Sequence, residues 1–207
     1  VDHTAMKATA TWQEIRTLCE EALEYHTASV CIPPSYVARA HAEFPGLNIC
    51  TVIGFPLGYN TTACKVFETQ QAVREGASEV DMVVNLGDVK NGDFDAVEKE
   101  IEALKKAAGD NVLKVIVETC YLTQEEKIRL CECVTKAGAD YIKTSTGFGT
   151  AGATLEDIAL FRAHIGPQVK VKAAGGIRTR EDLEAFCNAG CDRLGCSAAV
   201  KVLCGKG

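Results

Sequence analysis

Short apolar runs rich in β-branched residues alternate with amphipathic segments along the chain. Apolar positions at helical spacing recur over residues 12–26, 124–137 and 180–189, which predicts helices packed on one face. The short runs are apolar at successive positions, which is typical of strands buried on both sides of a sheet. These predicted strands cover residues 1–4, 29–32, 48–55, 80–86, 112–120, 141–146, 169–174 and 193–196.

The helix boundaries are marked by threonine at the start and by glycine at the end. Thr123 precedes an acidic first turn that ends in Glu126, which is a capping-box pattern, and Thr154 and Thr179 are placed to cap in the same way. A glycine in a small, polar turn precedes three predicted strands and indicates helices that end in a left-handed residue. These glycines are Gly76, Gly138 and Gly190.

The alternation of strands and helices predicts a parallel sheet, because each helix returns the chain to the start of the next strand. Eight such units in 207 residues predict a closed (β/α)8 TIM barrel that forms one domain over residues 1–207. An open doubly wound sheet is the alternative, but it usually carries a phosphate loop after its first strand. No glycine-rich loop follows the first predicted strand, so nucleotide binding is not favoured.

The net charge and the lengths of the apolar runs indicate which binding partners and which cellular location to expect. The formal net charge of −6 disfavours binding to nucleic acid and to anionic membrane surfaces. No apolar run approaches the roughly 20 residues that cross a bilayer, and the first residues lack the pattern of a signal peptide. We therefore expect a soluble, cytoplasmic protein that binds neither membranes nor nucleic acid.

The cysteines and histidines do not indicate a metal site. The 11 cysteines are an odd number, form no C-x-x-C pair and lie mostly within predicted strands and helices. We interpret them as free thiols that pack as small hydrophobic groups in a reducing compartment. A zinc site is the alternative, but the usual ligand spacing is absent. The histidines are scattered, which also disfavours a metal-dependent aldolase or hydrolase.

Charged residues inside otherwise apolar strands are the main chemical signal. These are Asp81, Lys114, Lys143 and Lys172. Lys143 lies near the end of its strand, where barrel active sites form. If Lys143 is considered alone, a structural ion pair inside the barrel is the alternative to a catalytic role. Lys172 lies near the end of the next strand, so we expect the two ammonium groups to lie close and to disfavour each other's charge. A Schiff-base nucleophile requires such a neutral amine.

The candidate site also contains a carboxylate and the small residues that follow the seventh and eighth predicted strands. Asp81 is interpreted as holding the lysines and relaying protons, with a plain salt bridge to Lys114 or Lys143 as the alternative. The loops after the seventh and eighth strands of a barrel commonly bind phosphate through N–H groups. The residues at these two places are Gly175, Gly176, Ser197 and Ala198. A small anionic ligand is therefore predicted there.

Seven segments, in order, resemble those of the deoxyribose-phosphate aldolases, which are class I aldolases of deoxynucleoside breakdown. The segments are DHT (2–4), VCIPP (30–34), VIGFPLG (52–58), EVDMV (79–83), KVIVETC (114–120), IKTSTGF (142–148) and KAAGGIR (172–178). Together they span most of the chain, and seven matches in the same order are far more specific than any one of them.

The resemblance implies roles for the residues at matching positions. Lys143 would be the Schiff-base lysine, Lys172 the partner that lowers its pKa, and Asp81 the proton relay. The substrate and its phosphate would be bound by Gly175, Gly176, Ser197, Ala198, Thr146, Asp2 and Cys31. The resemblance also implies a homo-oligomer, most simply a dimer, and neither a metal nor an organic cofactor.

The chain departs from the family pattern at several positions. Members often have proline where this chain has Ala8, serine where it has Ala174, and a second serine where it has Ala198. If the phosphate contacts at Ala198 use the backbone N–H, they are unaffected; if they use a hydroxyl, substrate affinity falls. Some members also have a C-terminal tyrosine that assists proton transfer, and none lies in the residues that end at Gly207.

The predicted reaction is reversible cleavage of 2-deoxy-D-ribose 5-phosphate into D-glyceraldehyde 3-phosphate and acetaldehyde. Two alternatives come from other classes of protein. A phosphosugar isomerase or lyase would use acid–base chemistry and would form no covalent lysine adduct. A sugar-phosphate binding protein would hold the ligand and release no acetaldehyde.

Overall fold

The computed structural model describes residues 1–205, in which eight strands are interspersed with nine α-helices and two short 3₁₀-helices, Pro34–Tyr36 and Thr119–Tyr121. The strands are β1 (Asp2–Thr4), β2 (Ser29–Cys31), β3 (Ile49–Ile53), β4 (Glu79–Val83), β5 (Val112–Ile116), β6 (Tyr141–Lys143), β7 (Lys170–Ala174) and β8 (Arg193–Cys196). The helices are α1 (Trp12–Glu24), α2 (Val37–Glu43), α3 (Thr62–Arg74), α4 (Leu86–Lys90), α5 (Phe94–Ala108), α6 (Gln124–Lys136), α7 (Leu155–His164), α8 (Arg180–Asn188) and α9 (Ala199–Cys204).

The strands form one closed parallel barrel. Each strand pairs with the next in the chain, and β1 closes the sheet against β8 through the pairs Asp2–Gly195 and His3–Cys196. The predicted (β/α)8 TIM barrel is therefore confirmed, and the open doubly wound alternative is wrong.

Five strands end earlier than their apolar runs predict, and three of them, β4, β5 and β6, do so by three or four residues. β4 ends at Val83, β5 at Ile116 and β6 at Lys143, whereas the runs continue to residues 86, 120 and 146. Apolar residues beyond these ends, such as Val84 and Val117, stay buried, so composition alone does not show where strand pairing stops. Lys143 is consequently the last residue of its strand and stands at the carboxyl end of the barrel.

The three predicted helices begin at the predicted residues and end one or two residues earlier than predicted, at Glu24, Lys136 and Asn188. Thr123 and Thr179 form complete capping boxes, and the Thr154 side chain accepts a hydrogen bond from the backbone N–H of Asp157. The three glycines that precede strands all have positive φ, from +71° to +108°. Gly76 has a second constraint, because a Cβ there would lie 2.3 Å from His41 Cγ.

Side chains alternate between an apolar outer layer and a charged barrel interior. On β4, Val80 and Met82 belong to the core between strands and helices, where Ile101 and Leu104 of α5 also lie. Glu79 and Asp81 point the other way and form ion pairs inside the barrel. Since barrel interiors are usually filled by branched aliphatic residues, this charged interior marks the candidate site.

The cysteines are free thiols in the structure, and six of the 11 are buried. Burial raises the pKa of Cys19 and of Cys131 to about 12, so both stay protonated near neutral pH. Among the nine helices, none has both the length and the apolar character that a membrane span requires.

Candidate active site

Lys143 lies at the end of β6 with its ammonium group held by a carboxylate. Its Nζ is 2.7 Å from Asp81 Oδ2, and the residue is 5% exposed. The neighbouring strands place Lys143 opposite Ile116 of β5 on one side and Lys172 of β7 on the other. The two lysines are therefore direct neighbours across the sheet, as the sequence predicts.

Lys172 is fully buried, whereas Lys143 is 5% exposed. Its Nζ is 2.7 Å from Asp81 Oδ2 and also pairs with Asp2 Oδ2. Gly195 leaves room for this side chain, because a Cβ there would lie 3.3 Å from Lys172 Cε. Burial would lower the pKa of Lys172, but the carboxylates of Asp2 and Asp81 outweigh it and raise that pKa above its usual value.

The expectation that the two lysines depress each other's charge is wrong for Lys172. It assumed that the ammonium groups face each other directly. In the structure Asp81 Oδ2 lies 2.7 Å from both, and Asp2 adds a second carboxylate on the Lys172 side. Lys172 is thus a stable cation next to Lys143.

Asp81 is shared by three lysines. Its Oδ2 contacts Lys143 and Lys172, and its Oδ1 contacts Lys114 Nζ at 3.0 Å. Burial would raise the pKa of Asp81, but the positive charges of Lys114, Lys143 and Lys172 outweigh burial and hold that pKa well below its usual value. Asp81 is therefore ionised, and the salt bridges to Lys114 and Lys143 are both present.

The ion pairs continue below Asp81 toward the opposite end of the barrel. Lys114 also pairs with Glu79, and Arg193 Nη1 lies 2.5 Å from Asp2 Oδ1 and 3.1 Å from Glu79 Oε2. The connected groups are the carboxylates of Asp2, Glu79 and Asp81 and the cations of Lys114, Lys143, Lys172 and Arg193. With every group ionised, four positive charges face three negative ones, so loss of one proton from a lysine would balance the cluster.

A cavity of about 710 Å³ opens above this ion cluster at the carboxyl ends of the strands. Lys143 lines it, together with residues from the segments that follow β1, β3, β6, β7 and β8. Asp81, Lys114 and Lys172 lie below the lining and are 0% exposed. Of the three lysines around Asp81, Lys143 is therefore the one that a molecule in the cavity would touch.

The residues predicted to bind phosphate lie at one side of the cavity, with one exception. Gly175, Gly176 and Ser197 line it, and the two glycines have φ of +81° and +78°. Ala198 is not among the lining residues, and its N–H donates to Cys196 Sγ at 3.4 Å. The Ala198 amide thus has a partner within the protein, and its contact with phosphate stays a prediction.

The other three predicted substrate contacts are placed differently from one another. Thr146 and Cys31 line the cavity. The hydrogen bond with Cys50 lowers the pKa of Cys31. Asp2 is fully buried against Lys172 and Arg193 and does not line the cavity, so its predicted contact with substrate is corrected to an ion pair beneath Lys172.

One group of side chains in the barrel has the composition of a metal site. Ligand atoms of Cys31, Cys50 and Asp81 lie within 4.8 Å of one another. Asp81 already carries three lysine ammonium groups within 3.0 Å, which would repel an added cation. Cys50 Sγ also donates to Asp81 Oδ1 at 3.1 Å. This arrangement does not fit a metal ion.

Gly147, Gly149 and Gly152 follow β6 with the spacing G-x-G-x-x-G; Gly147 has a φ of +87°, and packing explains the other two. A Cβ at Gly152 would lie 2.2 Å from the backbone oxygen of Gly175, and one at Gly149 would lie 2.8 Å from Cys120 Sγ. The loop after β6 therefore packs directly on the loops after β5 and β7. The spacing here serves contact between loops and does not indicate a dinucleotide site.

Sequence reasoning missed several residues of the site. The basic residues Lys7 and Arg178 line the cavity. They could have been found from the sequence because they lie in the loops that follow strands β1 and β7. Glu79 precedes Asp81 by two residues and shares its face, which was a signal for the lower ion pairs. Glu118 lies inside the apolar run over residues 112–120, and its charge there was a signal that was not used.

Comparison with known proteins gives one consistent family. Residues 1–194 match the model of the DeoC/LacD family of aldolases. Over 207 residues the chain is 61% identical to the deoxyribose-phosphate aldolase of Clostridium botulinum strain Eklund 17B, a match that covers 100% of this chain and 94% of that protein.

Solved structures agree with the sequence relatives. An aldolase named QR15 superimposes with a TM-score of 0.94 at 40% identity, over 98% of this chain and 91% of its own. The deoxyribose phosphate aldolase of Aeropyrum pernix, described as tetrameric, gives a TM-score of 0.90 at 35% identity, over 98% of this chain and 87% of its own.

Proposed function

The chain belongs to the DeoC/LacD family of aldolases, and we propose that it reversibly cleaves 2-deoxy-D-ribose 5-phosphate into D-glyceraldehyde 3-phosphate and acetaldehyde. The observation that carries the proposal is Lys143, which lines the cavity while its ammonium group shares one carboxylate oxygen with a buried, charged lysine. After loss of one proton, an amine placed in this way is a nucleophile for an aldehyde. The reaction belongs to the breakdown of deoxyribonucleosides.

Imine formation is the first step of the proposed mechanism. Loss of one proton from Lys143 gives a neutral amine and balances the three carboxylates of the cluster against three remaining cations. The amine attacks the aldehyde carbon of the open-chain sugar and forms a carbinolamine. Return of a proton to the carbinolamine hydroxyl and loss of water then give a protonated imine, which withdraws electrons from the adjacent carbon.

Carbon–carbon bond cleavage follows from the imine. The hydroxyl on the third carbon loses its proton, the bond between the second and third carbons breaks, and its electron pair moves into the imine to form an enamine. Glyceraldehyde 3-phosphate leaves. Protonation of the enamine carbon and addition of water release acetaldehyde and restore Lys143. We assign the proton movements to Asp81 and the cationic Lys172, acting through water where they do not reach the substrate.

Trapping with borohydride tests this function directly. The protein is incubated with 2-deoxyribose 5-phosphate and sodium borohydride, and the modified residue is mapped by mass spectrometry while acetaldehyde release is assayed in parallel. A reduced adduct on Lys143 together with acetaldehyde supports the proposal. Turnover without any adduct would favour a non-covalent lyase or isomerase, and binding without turnover would favour a sugar-phosphate binding protein.

The phosphate side of the cavity gives a second prediction. Arg178→Ala is expected to raise KM for 2-deoxyribose 5-phosphate by about tenfold, because it removes one charge-assisted contact to the phosphate. The value of kcat should change little, and KM for 2-deoxyribose without phosphate should stay the same. Steady-state kinetics with both sugars measures this.

A matched control for this prediction lies two residues further along. Arg180 is exposed and pairs with Glu184 at 2.9 Å on α8, and Arg180→Ala is expected to leave both KM values unchanged. An equal change of KM for the two sugars in Arg178→Ala would show that Arg178 does not bind the phosphate.

Assembly as a homodimer and a cytoplasmic location stay predictions for this chain. Sedimentation velocity at several protein concentrations would test the first. A species with the mass of a tetramer, as described for the Aeropyrum pernix enzyme, would contradict it.

A further inference from the structure

Glu118 is a buried carboxylate beside the catalytic strand that the mechanism above does not use. It follows β5 and is 3% exposed. Its φ of +56° and ψ of +65° put a residue with a long side chain in the left-handed region. Residues other than glycine persist in this region where the surrounding structure fixes them, and such positions cluster at functional sites.

Both oxygens of the Glu118 carboxylate are bound by Thr146. The Thr146 N–H donates to Oε1 at 3.1 Å, and the Thr146 hydroxyl donates to Oε2. The same hydroxyl oxygen accepts a hydrogen bond from the backbone N–H of Phe148 at 3.0 Å. A hydroxyl has one proton to donate and two lone pairs to accept with, so one lone pair of Thr146 is left.

The contact with Glu118 fixes a turn that forms part of the cavity wall. Thr146, Gly147 and Phe148 line the cavity that contains Lys143. Gly149, at the end of this turn, lies against Glu118 so closely that a Cβ would be 3.2 Å from the carboxyl carbon. The main chains are joined as well, since the Thr119 N–H donates to Thr144 O at 3.0 Å.

We propose that Glu118 is a positioning residue that accepts the hydrogen bond of the Thr146 hydroxyl and thereby makes Thr146 a hydrogen-bond acceptor for a hydroxyl group of the sugar-phosphate substrate. The proposal rests on the proposed function, because it concerns how the same cavity recognises its substrate. A substrate hydroxyl satisfies the remaining lone pair of Thr146, whereas a carbonyl or ether oxygen at that place does not. Acetaldehyde has no hydroxyl and gains nothing from this contact.

Two substrates separate this role from a merely structural one. In Glu118→Gln the amide oxygen stays on the Thr146 N–H, which places the amide nitrogen, a donor, against the Thr146 hydroxyl. The hydroxyl can then no longer donate to residue 118 and turns toward the cavity as a donor. We expect kcat/KM for 2-deoxyribose 5-phosphate to fall by about tenfold or more, chiefly through KM. The rate at which borohydride traps acetaldehyde on Lys143 should stay at the wild-type value, because that reaction needs Lys143 and no substrate hydroxyl.

Variants of Thr146 test whether Glu118 acts through it. Thr146→Val is expected to lose kcat/KM as Glu118→Gln does, and Thr146→Ser to keep nearly all of it. The double variant Glu118→Gln/Thr146→Val should be no worse than Thr146→Val alone, since residues that act through one contact are not additive. The matched control is Glu126→Gln, which alters a carboxylate–threonine contact at the start of α6. It should leave kcat/KM for 2-deoxyribose 5-phosphate unchanged.

Three results would overturn the proposal. These are an unchanged kcat/KM in Glu118→Gln, a parallel loss of acetaldehyde trapping that shows a general defect of the barrel, and additive losses in the double variant. If Glu118→Gln does not fold, the Thr146→Val and Thr146→Ser pair still decides whether a hydroxyl acceptor is needed. Failure of the wild-type protein to form any adduct would instead refute the proposed function and is distinguishable from all three.

Discussion

Replacement of Lys143 by methionine is expected to lower kcat for 2-deoxyribose 5-phosphate by at least about 10⁴-fold, as removal of a covalent nucleophile does in other enzymes. Methionine keeps the length and the apolar stem of the side chain but has no amine, so no imine forms. Lys172 is not expected to replace it, because Lys172 is fully buried between Asp2 and Asp81. Turnover and borohydride adducts are measured on the same preparation.

Lys170→Met is the matched control for this variant. Lys170 lies on β7, two residues before Lys172, but it is exposed at the opposite end of the barrel. Its removal is expected to leave turnover and the adduct unchanged. A Lys143→Met protein with wild-type rates would refute the mechanism, and an adduct found on Lys172 in the wild-type protein would exchange the roles of the two lysines.

Replacement of Asp81 by asparagine is expected to lower both activity and stability. The variant keeps the shape of the side chain but leaves four cations facing the carboxylates of Asp2 and Glu79. Removal of one partner of a buried ion pair typically costs about 3–5 kcal/mol of unfolding free energy. Turnover should fall by roughly 10²- to 10⁴-fold, because the group that moves protons beside Lys143 is lost.

The pH dependence of the same variant gives an independent check. The folded-state pKa of Asp81 is depressed below its usual value of 3.8, so its stabilising effect is complete above pH 3.8 and is lost as the pH falls through the folded-state pKa. The difference in unfolding free energy between wild type and Asp81→Asn should therefore be constant near neutral pH and shrink below about pH 4. Urea unfolding at a series of pH values measures it.

Glu79→Gln is the matched control for Asp81→Asn. It removes one negative charge from the same ion cluster, but Glu79 pairs with Lys114 and Arg193 away from the cavity. We expect a loss of stability with most of the turnover retained. Equal loss of turnover in both variants would show that the net charge of the cluster matters and that Asp81 has no particular role in proton transfer.

The location of the candidate site was predictable only in part. Lys143 was identified because a charge at the end of an apolar strand is unusual, and the structure places it in the cavity wall. Ala198 and Asp2 were expected at the substrate, but the first uses its N–H on Cys196 and the second lies beneath Lys172. Sequence position gives the strand end at which a residue lies, but it does not give the direction of a backbone N–H.

The charge on Lys172 is a clear case where local reasoning fails. Two lysines on adjacent strands predict mutual repulsion, and that part of the argument is sound for two isolated groups. In the structure, the carboxylates of Asp81 on β4 and Asp2 on β1 both contact Lys172 Nζ. Their attraction exceeds both the repulsion and the effect of burial, so the pKa of Lys172 rises.

The sequence by itself determined the eight strand–helix units, their caps, the parallel barrel and the lysines that stand out within it. Those features depend on periodicity and on residues a few positions apart. Only the tertiary structure decided which inward side chains meet, because barrel closure brings Asp2 and Arg193 into contact across 191 positions. Closure also joined Asp81 to its three lysines and Glu118 to Thr146. These contacts are set by strand register, which local patterns do not specify.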